Sequence, residues 1–231
     1  MMWFLLEVSC VDRLKTSQRN PAADLVKLVK LHQEVPWQKP LSAHSSEAFE
    51  ALRPRVEAHS GPLIIDSCCG TGHSTRNLAG RFPEALVVGV DKSAHRLARH
   101  QPGDRKNYAL VRADVNDFWR LAKQARWRPT QHYLLYPNPY PKAAQLRKRW
   151  YGAPVFPDLV GLGGLLTVRT NWLVYVQEFG LALHSMGYYF RQNQLNIEEP
   201  ISAFEQKYHA RGQALYELIC DLDQSRIDQK H

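Results

Sequence analysis

The chain has 231 residues, of which 44% are hydrophobic, and a formal net charge of +8. This length predicts one globular domain over 1–231, and no apolar run approaches the roughly 18 residues that a membrane helix needs. The excess of positive charge favours an anionic partner, with nucleic acid first. Residues 1–6 are apolar but too few for a secretory signal, so we expect a cytoplasmic protein with no membrane contact.

The predicted elements alternate between helices and strands. Apolar periodicity predicts helices over 22–33, 46–58, 93–100, 116–126 and 172–186, and strands over 63–65, 85–90, 108–111, 131–136, 165–169, 188–191 and 214–220. This alternation predicts an α/β fold with a mostly parallel sheet and helices on both faces. Residues 1–60 are then an N-terminal helical extension and residues 61–222 the core. We expect a monomer or a small homo-oligomer.

The cysteines give no sign of a metal site. Their spacing fits neither zinc ligands nor a disulfide framework, and they are Cys10, Cys68, Cys69 and Cys220. We expect reduced thiols and no bound metal, with Cys68 and Cys69 packed inside a loop rather than reactive.

The most informative spacing lies between the first two predicted strands. The first strand runs into Asp66 and a turn that contains Gly70 and Gly72, and the second ends in Asp91, 21 residues after Gly70. Glycines let the backbone approach a ligand, and an acid at the tip of the next strand can bind ribose hydroxyls. The spacing therefore predicts a nucleotide-type cofactor site.

The turn favours one cofactor of this type over another. The third glycine of the dinucleotide pattern is absent, and a pyrophosphate needs the close helix approach which that glycine permits. S-adenosylmethionine (SAM) has no pyrophosphate, and its ammonium group suits a carboxylate such as Asp66. We therefore expect SAM rather than a dinucleotide.

A basic cluster follows a proline-rich loop. Three prolines between 137 and 141 fix a rigid loop after the fourth strand, where parallel sheets place ligands. The basic residues lie among Tyr140, Trp150 and Tyr151, and they are Lys142, Arg147, Lys148 and Arg149. This mixture suits phosphate contact and base stacking, and a solvated helix face has the same composition.

Three segments resemble the TrmB-type tRNA (guanine-N7)-methyltransferases, and the resemblance covers most of residues 60–220. The first is 66–72. The second, 136–142 with the basic run that follows, is similar to the family's Phe-Pro-Asp-Pro-Trp-x-Lys, and the third, 202–205, to its Thr-x-Phe/Tyr-Glu. The resemblance implies a Rossmann-like, seven-stranded SAM-methyltransferase fold, with Asp91 on the SAM ribose and Asp114 near the adenine.

The chain departs from this family where the substrate would bind. The family's loop acid is Asn138 here, and its second acid, after the fifth strand, is Asn171. The resemblance implies that both face one pocket, where Asn138 also borders the cofactor and Glu205 is unchanged. A neutral amide cannot accept from both guanine N1–H and the exocyclic amine as a carboxylate does. Either guanine is held differently or the acceptor differs.

Three hypotheses follow. The first is a SAM-dependent RNA methyltransferase that takes a base of tRNA or another structured RNA between Asn138, Asn171 and Glu205. Its RNA contacts would come from Lys142, Arg147, Lys148, Arg149 and Ser202. The second is a SAM methyltransferase for a different acceptor: an exocyclic amine, a small molecule or a protein. The third is a non-catalytic RNA-binding relative. Because the sulfonium is already an activated donor, positioning can supply most of the catalysis, so the lost acids weaken the guanine assignment most.

Overall fold

The computed structural model describes residues 16–224, which form one seven-stranded sheet. The strands are β1 Leu63–Ser67, β2 Leu86–Asp91, β3 Tyr108–Arg112, β4 Gln131–Leu135, β5 Leu165–Thr170, β6 Arg191–Gln194 and β7 Tyr216–Asp221. Their order is β3-β2-β1-β4-β5-β7-β6. The strands β1 to β5 pair in parallel, and β7 pairs antiparallel with both β5 and β6. The predicted fold class, a Rossmann-like, mostly parallel sheet of seven strands, is confirmed.

Helices cover both faces of the sheet. They are α1 Leu25–Glu34, α2 Ala43–Glu57, α3 His73–Arg81, α4 Ala94–Leu97, α5 Val115–Gln124, α6 Phe156–Val160, α7 Leu173–Ser185 and α8 Ala203–Ala210. Side chains alternate along each strand, so Ile65 and Val88 join the core under α1, α2, α5, α6 and α7. Ile64 and Val87 join the opposite core, which is covered by α3 and by residues 195–208.

The two N-terminal helices are part of the first of these layers. Helix α1 buries Leu25, Leu28 and Val29 and packs against α6 and α7. Helix α2 packs against α5, and its Phe49 ring stacks on Trp127 with the centroids 4.4 Å apart. Both predicted helices are present, whereas the division into an extension and a core stays a prediction. The expectations for residues 1–6 and for Cys10 fall outside the described residues.

Several elements are bounded differently from the prediction; α1 begins three residues later and α2 three residues earlier, and α4 and β6 differ for a physical reason. Helix α4 ends at Leu97 rather than near residue 100, because the amides of Arg99 and His100 bond to carbonyls three residues back, at 3.1 and 3.0 Å. Strand β6 begins at Arg191, three residues after the predicted start. Its sequence is polar and it lies at the sheet edge, so it carries no apolar alternation from which its bounds could be read.

Helix α8 was not predicted, although the sequence carries its signal. Ser202 caps the helix and accepts a hydrogen bond from the Glu205 amide at 3.1 Å. A serine followed three residues later by glutamate is a common helix start. The same four residues were interpreted only as a family motif.

The parallel strands direct their connecting loops to one edge of the sheet. The turn after β1, the ends of β2 and β3, and the loops after β4 and β5 all lie at the carboxyl ends of parallel neighbours. This edge is where open α/β sheets bind ligands. Within residues 16–224, no helix is long and apolar enough to cross a membrane.

Candidate active site

A cleft of about 610 Å³ opens at the carboxyl edge of the sheet. Its walls combine the ends of β2 and β3, the proline-rich loop after β4, the residue after β5, and α8. The acids Asp91 and Asp114 and the amides Asn138 and Asn171 all contribute to this lining. Four of the predicted site residues, from positions distant in sequence, therefore share one cavity.

The turn between β1 and α3 depends on left-handed backbone conformations at Cys68, Gly70 and Gly72, with φ of 65°, 62° and 75°. A Cβ on Gly70 would meet only open space, so a ligand can approach its backbone. A Cβ on Gly72 would lie 2.7 Å from the Leu110 side chain. The two glycines were predicted to bind the cofactor together, but the geometry gives Gly72 a packing role.

Asp91 couples the tip of β2 to this turn. It is 1% exposed, and its carboxylate accepts from the Gly70 amide at 3.0 Å and the Ser93 amide at 2.8 Å. The guanidinium of Arg96 lies 3.0 Å from the same carboxylate and is 44% exposed. A carboxylate offers about four acceptor positions, so one remains for a ligand hydroxyl and Arg96 can release another.

Asp66 lies beneath the turn rather than in the cleft lining. Its Oδ2 accepts from the hydroxyls of Ser74 and Thr75, each at 2.7 Å, which ties β1 to the first turn of α3. Burial raises the pKa of Asp66 to about 6, against the lowering effect of the two hydroxyls, and Asp91 adds to the increase. The observed partners hold the turn in place, and the contact with the SAM ammonium stays a prediction.

Asp114 completes the part of the cleft that would hold a nucleoside. It caps α5, accepting from the Asn116 amide at 2.9 Å, and it is half-buried at the tip of the strand beside Asp91. Two carboxylates at neighbouring strand tips, next to an unobstructed glycine backbone, fit the hydroxyls and amine of an adenosyl group. The residues present therefore suit SAM.

Asn138 and Asn171 face the cleft from different loops. The Oδ1 of Asn138 accepts from the Tyr140 amide at 3.2 Å, within the proline-rich loop. The Nδ2 of Asn171 donates to Gln213 Oε1 at 2.8 Å. Both asparagines line the cleft, so they border the same space as Asp91 and Asp114.

Glu205 and Ser202 have internal partners instead. Glu205 has no solvent exposure, and its carboxylate accepts from Arg169 and the Tyr136 hydroxyl at 3.0 Å each and from the Ile201 amide at 2.5 Å. Neither residue lines the cleft. The predicted base pocket between Asn138, Asn171 and Glu205 is therefore wrong in its third member, and Ser202 caps a helix rather than facing RNA. Through these bonds Glu205 attaches α8 to β5, by Arg169, and to the residue after β4, by Tyr136.

The basic run divides between surface and core. Lys142, Arg147 and Lys148 are exposed, and the last two line the cleft. Arg149 has no exposed side-chain surface, forms an ion pair with Glu178, and donates to the Tyr140 and Lys142 carbonyls at 3.1 and 3.2 Å. The prediction that Arg149 binds RNA is corrected on this ground: its guanidinium donates to Glu178, to Gln18 and to the carbonyls of the protein's own loop.

Aromatic side chains form much of the remaining cleft wall. Trp37, Tyr140, Trp150, Phe204 and Tyr208 all line it, and the Phe204 side chain is 46% exposed at its rim. Trp37 lies between Pro36 and Pro40, in the segment that connects α1 and α2. Helix α8 supplies Phe204 and Tyr208. The sequence signal that could have identified Trp37 is a large aromatic residue in a short connecting segment. Such a residue is more typical of a binding surface than of a connection.

The cysteines behave as packing residues. Burial, with the nearby acids, raises the pKa of the Cys68 thiol to about 12 and that of Cys69 well above its usual value, so neither thiol ionises near neutral pH. Cys68, Cys69 and Cys220 are free thiols. Among residues 16–224, no group of three or more His, Cys, Asp or Glu side chains could hold a metal ion.

The strand order, with a last strand inserted antiparallel, and two acids at adjacent strand tips define a SAM-dependent methyltransferase. Residues 60–218 match the family described as "Putative methyltransferase". The chain belongs to that family and is a divergent member of the TrmB type. The predicted enzyme class and the predicted cofactor, SAM, are thereby confirmed.

Relatives of two kinds were found. A tRNA (guanine-N(7)-)-methyltransferase of Treponema pallidum is 23% identical over 185 residues, covering 74% of both chains. A trans-aconitate 2-methyltransferase of Deinococcus radiodurans is 39% identical over 54 residues, and one of Variovorax paradoxus is 31% identical over 126. The chain spans only 21% and 42% of the length of these last two relatives.

Solved structures share the fold over most of the chain. A 16S rRNA (adenine(1408)-N(1))-methyltransferase from Catenulisporales acidiphilia, determined with SAM, is 17% identical with a TM-score of 0.52, and 85% of this chain and 97% of that chain are covered. A structure described as an antibiotic-related methyltransferase has a TM-score of 0.55 at 13% identity, with 80% and 96% covered.

Proposed function

We propose that this methyltransferase transfers the methyl group of SAM to a base nitrogen of tRNA or another structured RNA, and that it acts in the cytoplasm. The observation that carries the proposal is the composition of the cleft: carboxylates at the cofactor end, then amides and aromatic rings, with Arg147 and Lys148 at the margin. The relation to a tRNA methyltransferase over 74% of the chain supports the same acceptor class.

The cleft suits an unstacked base. A flipped base loses its stacking neighbours, and aromatic side chains replace them at about 1–3 kcal/mol per base. Tyr140, Trp150 and the exposed rim residue Phe204 provide such surfaces in one cavity. Lys142, Arg147 and Lys148 are positioned to bind the phosphates next to that base, because they follow the loop that carries Asn138.

The protein's part in the reaction is to position the acceptor. SAM supplies an activated methyl group on a sulfonium, so a ring nitrogen with a free lone pair needs alignment more than proton transfer. The Tyr140 amide already occupies one acceptor position on Asn138 Oδ1, which leaves the Asn138 NH2 to donate. Asn171 donates to Gln213, which leaves its carbonyl to accept. A base edge with one acceptor and one donor matches this pair, whereas guanine N1–H and its amine require two acceptors.

The test is transfer of label from methyl-labelled SAM to total cellular RNA by the full chain. Asp91→Ala is the variant expected to abolish transfer, and Glu84→Ala, an exposed acid just before the same strand, is its matched control. Label that depends on Asp91 and not on Glu84 would support the proposal, and nucleoside analysis would then identify the atom. Intact SAM binding without RNA label would contradict it.

The asparagines allow a sharper test of base identity. Asn138→Asp with Asn171→Asp restores the acids of the resembling family. Gain of guanine-N7 label, together with loss of the native product, would indicate that the amides select a different base. An unchanged product would mean that the two amides do not contact the acceptor.

A small carboxylate acceptor is the second candidate. It is favoured by the partial matches to trans-aconitate 2-methyltransferases, at 31–39% identity. The same labelled assay with trans-aconitate in place of RNA separates the two, because the product is then a small ester. Binding of SAM with no transfer to either acceptor would favour the non-catalytic role.

A further inference from the structure

A second basic segment lies on the cofactor side of the cleft. Residues 92–106 contain five basic side chains and one acid, so they carry a formal charge of +4, half of the chain's +8. The proline-rich loop and its basic run are about forty residues further along the chain, at the opposite side of the cavity. Two segments of the chain, 92–106 and 142–149, therefore carry a local excess of positive charge.

The charge of this segment continues onto the outer face of α3. One shallow hollow is lined by Arg76, Arg99 and His100, among others, and a second, of about 530 Å³, by Arg76, Arg81 and Arg105. Because Arg76 borders both hollows, the four arginines form one continuous surface. We call this set, Arg76, Arg81, Arg99 and Arg105, the α3 basic surface.

Much of this charge is not neutralised by the residues that the structure describes, 16–224. Arg76 donates to the Gln101 carbonyl at 2.7 Å, which is a neutral acceptor, and it has no ion pair in the described part of the chain. Arg81 lies 3.7 Å from the Glu199 carboxylate, and both side chains are exposed. Within residues 16–224, Arg99 and Arg105 have no ion pair and no side-chain hydrogen bond, and both are exposed. Asp104 and Glu199 are the acids that line the second hollow.

The α3 basic surface is continuous with the cleft through α4. Lys92 and Arg96 line the cleft itself, and Arg99 follows two residues after the end of α4. A polyanion with one unit in the cleft could thus contact Arg147 and Lys148 on one side and the arginines on the other. Arginine forks bind phosphate oxygens in pairs, and a row of them matches a backbone with a phosphate at every nucleotide.

We propose that the α3 basic surface binds the phosphate backbone of the RNA whose target base enters the cleft. This inference rests on the proposed function, since it assigns a second contact region to the same substrate. It predicts that the enzyme prefers a long or folded RNA, because a short fragment that fills only the cleft cannot reach Arg105. The two basic regions would then hold the RNA on both sides of the flipped base.

The test compares two double variants of the full chain. Arg99→Gln/Arg105→Gln removes two charges from the surface, and Arg126→Gln/Arg128→Gln removes two exposed arginines just before β4, at the opposite edge of the sheet. Bulk tRNA is titrated at several salt concentrations, and SAM affinity is measured to check the fold. We expect the first variant to bind tRNA about 3- to 10-fold more weakly at moderate salt, with a slope of log affinity against log salt smaller by about 1–2.

The control variant should bind within about twofold of the parent and keep its slope, since it touches no phosphate. Equal loss in both variants, or no loss in the first, would overturn the inference. Transfer of label to RNA is measured in parallel. If tRNA affinity depends on the two arginines but the parent transfers no label, the surface binds RNA and the proposed reaction is refuted. If the parent transfers label but the first variant binds tRNA as tightly as the parent, only the role of the surface is refuted.

Discussion

Arg149 and Glu178 form an ion pair in which neither side chain is exposed to solvent. Glu178 also accepts from the Tyr151 hydroxyl at 2.5 Å and from the Ala22 amide at 2.8 Å. Arg149 stacks over the Trp172 ring, with its guanidinium carbon 4.8 Å from the centroid. The pair therefore joins the proline-rich loop, helix α7 and the segment before α1, and it holds one wall of the cleft in place.

Removing one member of this pair is expected to cost more stability than removing both. Arg149→Met leaves the Glu178 carboxylate buried without its counter-charge, which costs about 3–5 kcal/mol of unfolding free energy. The double variant Arg149→Met/Glu178→Leu removes the uncompensated charge and should recover part of that loss. Urea unfolding of the parent, both single variants and the double variant measures the coupling. Additive losses would mean that the two side chains do not stabilise each other.

Asp91 is expected to control SAM affinity. Asp91→Asn keeps the shape but removes the charge that would strengthen bonds from ribose hydroxyls, worth about 1.5–3 kcal/mol for each charged bond. We expect SAM to bind roughly 10- to 100-fold more weakly, measured by isothermal titration calorimetry. Glu84→Gln, a matched neutralisation before the start of the same strand, should leave the affinity unchanged. Equal affinity in the Asp91 variant would remove this residue from the cofactor site.

Asp66 should make the stability of the protein depend on pH in an unusual direction. Its pKa is raised to about 6 by burial, whereas the unfolded chain releases this proton near pH 4. Between these values the folded state holds the extra proton, so the free energy of unfolding falls as pH rises from about 4 to 6, by roughly 2–3 kcal/mol, and then levels off. Other acids titrate in the same range, so the parent is compared with Asp66→Asn. The difference between their free energies of unfolding is measured in urea at pH 4.5 and at pH 7. A constant difference at both pH values would contradict the raised pKa.

Cys68 occupies a left-handed backbone position, with φ of 65°. A side chain in that conformation costs about 1–2 kcal/mol, and glycine avoids the cost while giving up some chain entropy. Cys68→Gly should therefore be about 1 kcal/mol more stable than Cys68→Ala, although both lose the thiol. Thermal unfolding of the two variants makes the comparison. If alanine were the more stable, backbone strain at residue 68 would not be significant.

The sequence by itself determined the fold class and the cofactor. The glycine turn, the acids that end β2 and follow β3, and the proline-rich loop are local patterns, and each depends on residues a few positions apart. Because apolar strands alternate with amphipathic helices along the chain, most predicted elements lie within about three residues of the observed ones. The edge strand β6 was misplaced because its polar sequence has no apolar alternation. Helix α8 was missed because the segment that starts it was interpreted as a family motif.

Only the tertiary structure decided which polar residues face the cleft. Lys148 and Arg149 are neighbours in a basic run, yet the first is exposed and the second lies in the core. Arg149 is buried because it pairs with the buried Glu178, which is 29 residues further along the chain. Glu205 is withdrawn from the pocket in the same way by Arg169 and Tyr136. The pairing of a charged side chain depends on long-range contacts that no local pattern records, and the free energy of burying a charge makes that pairing decisive.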